Sequence, residues 1–105
     1  VHMVAAWKER DFGTWEGRSW AAIYRQTGNA MDGMIDDPEG FRPGGGETTM
    51  ELAARSLAAL GDVPSKRVLI VSHGGPIAAI VGTLQSVPVR DWPGLVPPAG
   101  TFIEL

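Results

Sequence analysis

The stretch RVLIVSHGGPIAAIVG, residues 67–82, decides the fold. Its first part, Arg67 to Ser72, is apolar and rich in β-branched residues, and its flanks leave no room for a helix. That pattern predicts a buried parallel strand. A tight Ser72-His73-Gly74-Gly75 turn follows, and Pro76 suits the first turn of a helix reaching Gln85. Strand, turn and helix in this order predict an α/β layer fold.

Working outward, Thr48-Thr49-Met50-Glu51 has the form of a capping box, in which a hydroxyl and a carboxylate satisfy each other's exposed amides at a helix start. Met50, Ala53, Ala54, Leu57 and Leu60 then recur at helical spacing up to Gly61. Between Gly17 and Gly28, Trp20, Ile23, Tyr24 and Thr27 form one helical face, with Ser19 as N-cap and Gly28-Asn29 as stop. Residues 30–46 read as a long irregular loop, as does proline-rich Ser86 to Gly100. Val4 to Trp7 and Thr101 to Leu105 read as two further short strands. The expected sheet is therefore small, mainly parallel and flanked by helices, with few elements to cover its faces and edges.

The chain has 105 residues, 44% of them hydrophobic and 20% charged, enough for one small domain with a core. Val1-His2-Met3 reads as a cloning scar, leaving 4–105 as a single domain. A net charge of −3, with no basic cluster beyond Lys66-Arg67, argues against nucleic acid. No apolar run reaches the ~18 residues of a membrane span. There are no cysteines and only two histidines, His2 and His73, which argues against a metal site and fits a cytoplasmic protein. Fourteen glycines and eight prolines predict abundant loop.

In open α/β sheets ligands bind at the carboxyl ends of strands. The turn at 72–75 places His73 there, beside a helix N-terminus with free N–H groups and the positive end of its dipole. Phosphate or carboxylate binding is the functional expectation, and a histidine hydrogen-bonded at the end of a core strand is the bland one. Ser72 is no nucleophile elbow, because Ile70 stands where G-x-S-x-G needs glycine. An esterase-type oxyanion loop would need a downstream serine elbow and a second histidine, which the sequence lacks. WKERDFGTWEG, residues 7–17, sets Glu9 and Glu16 among aromatics, surroundings that can turn a carboxyl into a general acid or simply pack it.

Taken in order, three segments resemble the histidine phosphatase superfamily, the phosphoglycerate mutase-like proteins. KERDFGTWEG is similar to that family's Glu-x-x-Phe-Gly-x-Trp-Glu-Gly stretch. PGGGET is similar to its Pro-Gly-Gly-Glu-Ser loop, with Thr48 where serine is usual. VLIVSHGGPIAAIVGTL is similar to its Val-Ser-His-Gly-Gly strand, turn and helix. The resemblance implies a three-layer α/β fold, of which this chain would hold an incomplete, C-terminal portion. It implies phosphoryl transfer to an active-site histidine and then to water or another hydroxyl, with no metal or organic cofactor. Glu9 aligns with the general acid, His73 with a histidine that hydrogen-bonds phosphoryl oxygens, and Gly74 with a backbone donor beside it. Thr48 is expected to approach the substrate, while Glu16 looks structural.

The nucleophile of that family lies in an Arg-His-Gly segment, and no Arg-His-Gly occurs in these 105 residues. The expectation is that the chain alone does not catalyse phosphoryl transfer. The expected ligand is a small phosphomonoester, or a phosphate or sulfate anion. The alternative is a non-catalytic anion-binding or oligomerising module of the same fold. An exposed sheet edge would favour a homodimer, a domain-swapped assembly or pairing with a separate N-terminal fragment. Specificity is expected from residues 30–46 together with the N-terminal half of the fold that the resemblance implies.

Overall fold

The computed structural model describes residues 4–64, 67–101 and 103–104. Among the described residues four α-helices carry the fold: α1 Trp20–Thr27, α2 Gly33–Asp36, α3 Thr49–Gly61 and α4 Gly74–Leu84. Short 3-10 turns at Ala5–Trp7, Gly13–Trp15, Ala30–Asp32 and Pro43–Gly45 punctuate the first half, and a longer one, Val89–Leu95, follows α4. No described helix is long and apolar enough to cross a membrane.

The helix starts follow the local chemistry. Ser19 accepts a hydrogen bond from the Ala22 N–H at 3.1 Å and opens α1. Thr48 Oγ1 accepts from the Glu51 N–H at 3.1 Å while Glu51 Oε1 accepts from the Thr48 N–H at 3.0 Å, so the expected capping box is formed at α3. Pro76 lies in the first turn of α4, where its missing N–H costs nothing.

Helix α3 packs on α4, and α4 packs on the 3-10 turn at Val89–Leu95. Their contact holds the core, in which Ala53, Ala79 and Trp92 meet and Val87, Val89 and Leu95 close the edge. The Trp92 indole N–H donates to the Val87 carbonyl at 2.9 Å, so this large side chain is buried without an orphan donor. The buried face of α3 is Thr49, Leu52, Ala53, Ser56 and Ala59; of the expected line Ala53 is buried, Leu57 and Leu60 are half-buried, and Met50 and Ala54 are exposed. Two small polar residues turn inward because their hydroxyls are satisfied. Ser56 donates to the Leu52 carbonyl and Thr49 to the Met34 carbonyl. In α1 only Ile23 is buried, and Trp20 and Tyr24 are exposed.

The expected sheet is absent among the described residues. Ala5–Trp7 forms a 3-10 turn instead of a strand. Residues 68–73 carry no helix or strand, and Leu69 and Val71 are 82% and 84% exposed. A strand takes its ladder hydrogen bonds from neighbouring strands, and none stands beside this run among the described residues. Of the third expected strand, Phe102 and Leu105 lie outside the described residues, and Thr101, Ile103 and Glu104 join no ladder. The expected loop at 30–46 is instead built around three short helical turns.

Candidate functional site

Glu9 and the His73-Gly74-Gly75 turn, far apart in sequence, come together. The Gly75 N–H donates to Glu9 Oε2 at 3.1 Å, and the Arg10 N–H donates to Glu9 Oε1 at 2.8 Å. The carboxylate thus occupies the N-terminal end of α4, where unpaired N–H groups and the helix dipole favour negative charge. The missing Cβ at Gly75 leaves room for this approach, since a side chain there would push the Glu9 carboxylate aside. At Gly75 the chain's own carboxylate takes the helix end where the sequence reading expects a bound phosphate or carboxylate. The Gly74 N–H makes no hydrogen bond among the described residues and lies next to His73.

His73 is the N-cap residue of α4, with an exposed side chain that makes no hydrogen bond to the described residues. Its predecessor Ser72 donates to the Trp7 carbonyl at 2.8 Å, tying the turn to the segment that carries Glu9. Gly74 packs against Val96. Thr48 is buried and committed to the α3 cap, and the neighbouring Thr49 is the one that reaches the cavity beside Glu9. Glu16 accepts from the Phe12 N–H at 2.8 Å and shapes the turn at Gly13–Trp15, a local structural task.

Two arginines that the sequence reading passed over organise this region. Arg55, on α3, makes a two-pronged pair with Glu47, Nε to Oε2 at 2.9 Å and Nη2 to Oε1 at 2.8 Å. The same guanidinium donates to the carbonyls of Ala6 at 2.7 Å, Lys8 at 2.9 Å and Glu9 at 3.4 Å. It therefore fixes the backbone that presents the Glu9 side chain. Hydrogen bonding to Arg55 holds the Glu47 carboxyl below its ordinary range, against the opposing effect of burial. Arg10 is the second. Its Nη1 donates to Thr49 Oγ1 at 3.0 Å and its guanidinium lies 6.0 Å from the Phe12 ring centre. Burial lowers its pKa, with the charges of Glu47 and Glu9 opposing. Arg10 has no carboxylate within ion-pair distance among the described residues, so an anion entering the cavity would meet a partly desolvated cation.

The Pro43-Gly-Gly-Gly46 loop serves packing. Gly44 has φ +61° and lies so close to the Phe12 carbonyl that a Cβ would overlap it. The Glu47 N–H donates to the Asp11 carbonyl at 2.8 Å, continuing this backbone-to-backbone contact. Proximity of this kind needs glycine. Part of the glycine excess thus lets the loop press onto the Glu9-bearing segment.

A cavity of about 430 Å3 opens beside Glu9, lined in part by Arg10, Thr49 and Gly75. Among the described residues no group of three or more His, Asp or Glu side chains is arranged to hold a metal ion.

The profile of the histidine phosphatase superfamily (branch 1) matches residues 1–103. Glucosyl-3-phosphoglycerate phosphatase of Mycobacterium tuberculosis (strain ATCC 25618 / H37Rv) is 32% identical over 100 residues, covering 84% of this chain and 44% of that protein. Metal-independent phosphoserine phosphatase of Arabidopsis thaliana is 35% identical over 78 residues, covering 70% of this chain and 33% of that protein. The solved structure of mycobacterial glucosyl-3-phosphoglycerate phosphatase with inorganic phosphate superposes with a TM-score of 0.67 at 30% identity. It covers 87% of this chain and 49% of that one. The chain thus spans less than half the length of the relatives it matches.

Proposed function

Since the chain belongs to the histidine phosphatase superfamily, we propose that it carries the general-acid and phosphoryl-binding part of a phosphomonoester phosphatase site. The observation that supports this most directly is the Gly75–Glu9 hydrogen bond at 3.1 Å, which joins two of the three family-like segments at one helix end. The phosphatase neighbour solved with inorganic phosphate supports the same ligand chemistry.

In this reading His73 and the Gly74 N–H hold phosphoryl oxygens, and Arg10 adds positive charge on the cavity wall. Glu9 gives its proton to the ester oxygen as the P–O bond breaks. The phosphoryl group passes to a histidine nitrogen and from there to water, whose proton returns to Glu9 as inorganic phosphate leaves. These 105 residues contain no Arg-His-Gly segment to accept the phosphoryl group, so they bind the anion and do not turn it over alone. Thr48 contributes by capping α3, which sets Thr49 into the cavity wall.

A second reading, an oligomerising module of the same fold, is favoured by the exposed Leu69 and Val71. It predicts a dimer or larger assembly, and a stable monomer in light scattering would count against it.

The test of the first reading pairs turnover with binding. The chain is expected to leave p-nitrophenyl phosphate at the background rate and to bind inorganic phosphate or vanadate. His73→Ala should weaken that binding roughly tenfold, the worth of a charge-assisted hydrogen bond. Robust turnover abolished by His73→Ala would overturn the inactive reading, and anion binding indifferent to the substitution would overturn the role of His73.

A further inference from the structure

The cavity beside Glu9 is mostly hydrocarbon, which is a poor match for a sugar. Its volume of about 430 Å3 falls within the ~300–1,000 Å3 of ordinary small-molecule sites. Phe12 and Trp20, an edge-to-face pair with ring centres 5.6 Å apart, form part of its wall. Met34 and Ile35 of α2, Trp92 and Val96 contribute further apolar surface. Trp20, Ile35 and Val96 are substantially exposed, so they line an accessible recess as well as packing.

The polar groups of the lining are already largely committed. Each Glu9 oxygen accepts a backbone N–H. The Thr49 hydroxyl donates to the Met34 carbonyl and accepts from Arg10. The Trp92 indole N–H is bonded to the Val87 carbonyl. Among the side chains of the described lining, that leaves Asp32 and the remaining Arg10 donors. A sugar brings a hydroxyl on nearly every carbon, and each one loses its water on entry and needs a replacement partner. These walls cannot supply so many.

We infer that the leaving group taken by this cavity is an alkyl or aryl body, lying on Phe12, Trp20 and Ile35, with its phosphoryl end toward Glu9 and Arg10. The inference rests on the phosphatase reading above and narrows its substrate class. It separates this chain from its mycobacterial relative, whose name gives a glucosylated phosphoglycerate. Phe12 belongs to the family-like segment that carries Glu9, whereas Trp20 on α1, Met34 and Ile35 on α2, and Trp92 in the 3-10 turn after α4 lie outside the family-like segments.

The test titrates the chain with inorganic phosphate, benzylphosphonate, glucose 6-phosphate and benzyl alcohol, following the indole N–H signals of Trp20 and Trp92 by NMR. Benzylphosphonate is expected to bind roughly tenfold more tightly than phosphate, the effect of burying one small apolar body. Glucose 6-phosphate should gain nothing over phosphate, and benzyl alcohol should shift the same two indole signals. Ile35→Asn should narrow the benzylphosphonate-to-phosphate ratio. Equal affinity for benzylphosphonate and glucose 6-phosphate would overturn the inference, as would indole signals that ignore benzyl alcohol. Absent phosphate binding with the benzyl alcohol shifts intact would instead overturn the phosphoryl reading and leave the apolar recess standing.

Discussion

The segment carrying Glu9 and the run at 68–71 both border the candidate site, yet they are held in opposite ways. The first is gripped by Arg55, which reaches three of its carbonyls while pairing with Glu47, and by the glycine loop pressed against Phe12. The second presents Val68, Leu69 and Val71 to solvent. One region brings its stabilising partners within the described chain. The other has the composition of a core strand without a neighbour to make it one. Polar anchoring can finish a small irregular structure from within, whereas an apolar strand is finished only by what lies beside it.

The sharpest way to break the contrast is to remove Arg55. The pair it makes with Glu47 is largely shielded, with side-chain exposures of 18% and 15%. Arg55→Ala strands the Glu47 carboxylate and releases three carbonyls, and should cost about 2–4 kcal/mol. Urea unfolding is expected to show a lower midpoint with little change in slope. A midpoint within error of the wild type would mean that the segment is held by something other than this arginine.

A smaller loss is expected from Thr48→Ala, which deletes the hydroxyl that accepts from the Glu51 N–H. Cap removals of this kind cost about 1 kcal/mol. Circular dichroism melts would register the loss, and Thr48→Ser should recover most of it. Failure of serine to recover would locate the importance of Thr48 in its methyl packing.

Acid probes the same cap. The Glu51 carboxyl is lowered from 4.5 to about 2, first by its hydrogen bond to Arg42 and then by the Thr48 N–H. A carboxyl depressed in the folded state favours folding above its unfolded pKa, and this contribution fades as pH falls toward the folded value. The wild type should therefore lose its margin over Glu51→Gln between pH 4.5 and about 2, by a modest amount because the pair is exposed to solvent. Parallel melting curves for the two proteins across that interval would contradict this assignment.

These contrasts also explain what could be seen in the sequence. The starts of α1, α3 and α4 were legible because Ser19, Thr48, Glu51 and Pro76 act within one turn of themselves. His73 stands out from its place in the strand, turn and helix pattern and again by resemblance, Glu9 as general acid by resemblance alone, and the contact that brings their segments together runs through Gly75. The sheet was not legible in the same sense, because a β-branched run states a preference and its neighbour decides whether that preference is realised. The face of α3 was misjudged because apolar spacing gives no weight to Thr49 and Ser56, whose inward hydroxyls are satisfied by carbonyls. Arg10 and Arg55 were read only as charge. Their roles depend on carbonyls and hydroxyls brought in from distant positions, which residue type alone does not announce.

The smallest stability effect should come from the run that looked most like core. Val71 is 84% exposed, and a lysine there would displace no packed neighbour. Val71→Lys is therefore expected to change unfolding free energy by less than about 0.5 kcal/mol, as at other exposed positions. The same substitution puts charge on an apolar extended segment, a known way of discouraging edge-to-edge association. Light scattering should accordingly show less self-association than in the wild type while the melting temperature barely moves. A large loss of stability in a variant that stays monomeric would show that Val71 is packed within its own chain. The distinction between an internally anchored region and the solvent-facing run at 68–71 would then fail at its most exposed residue.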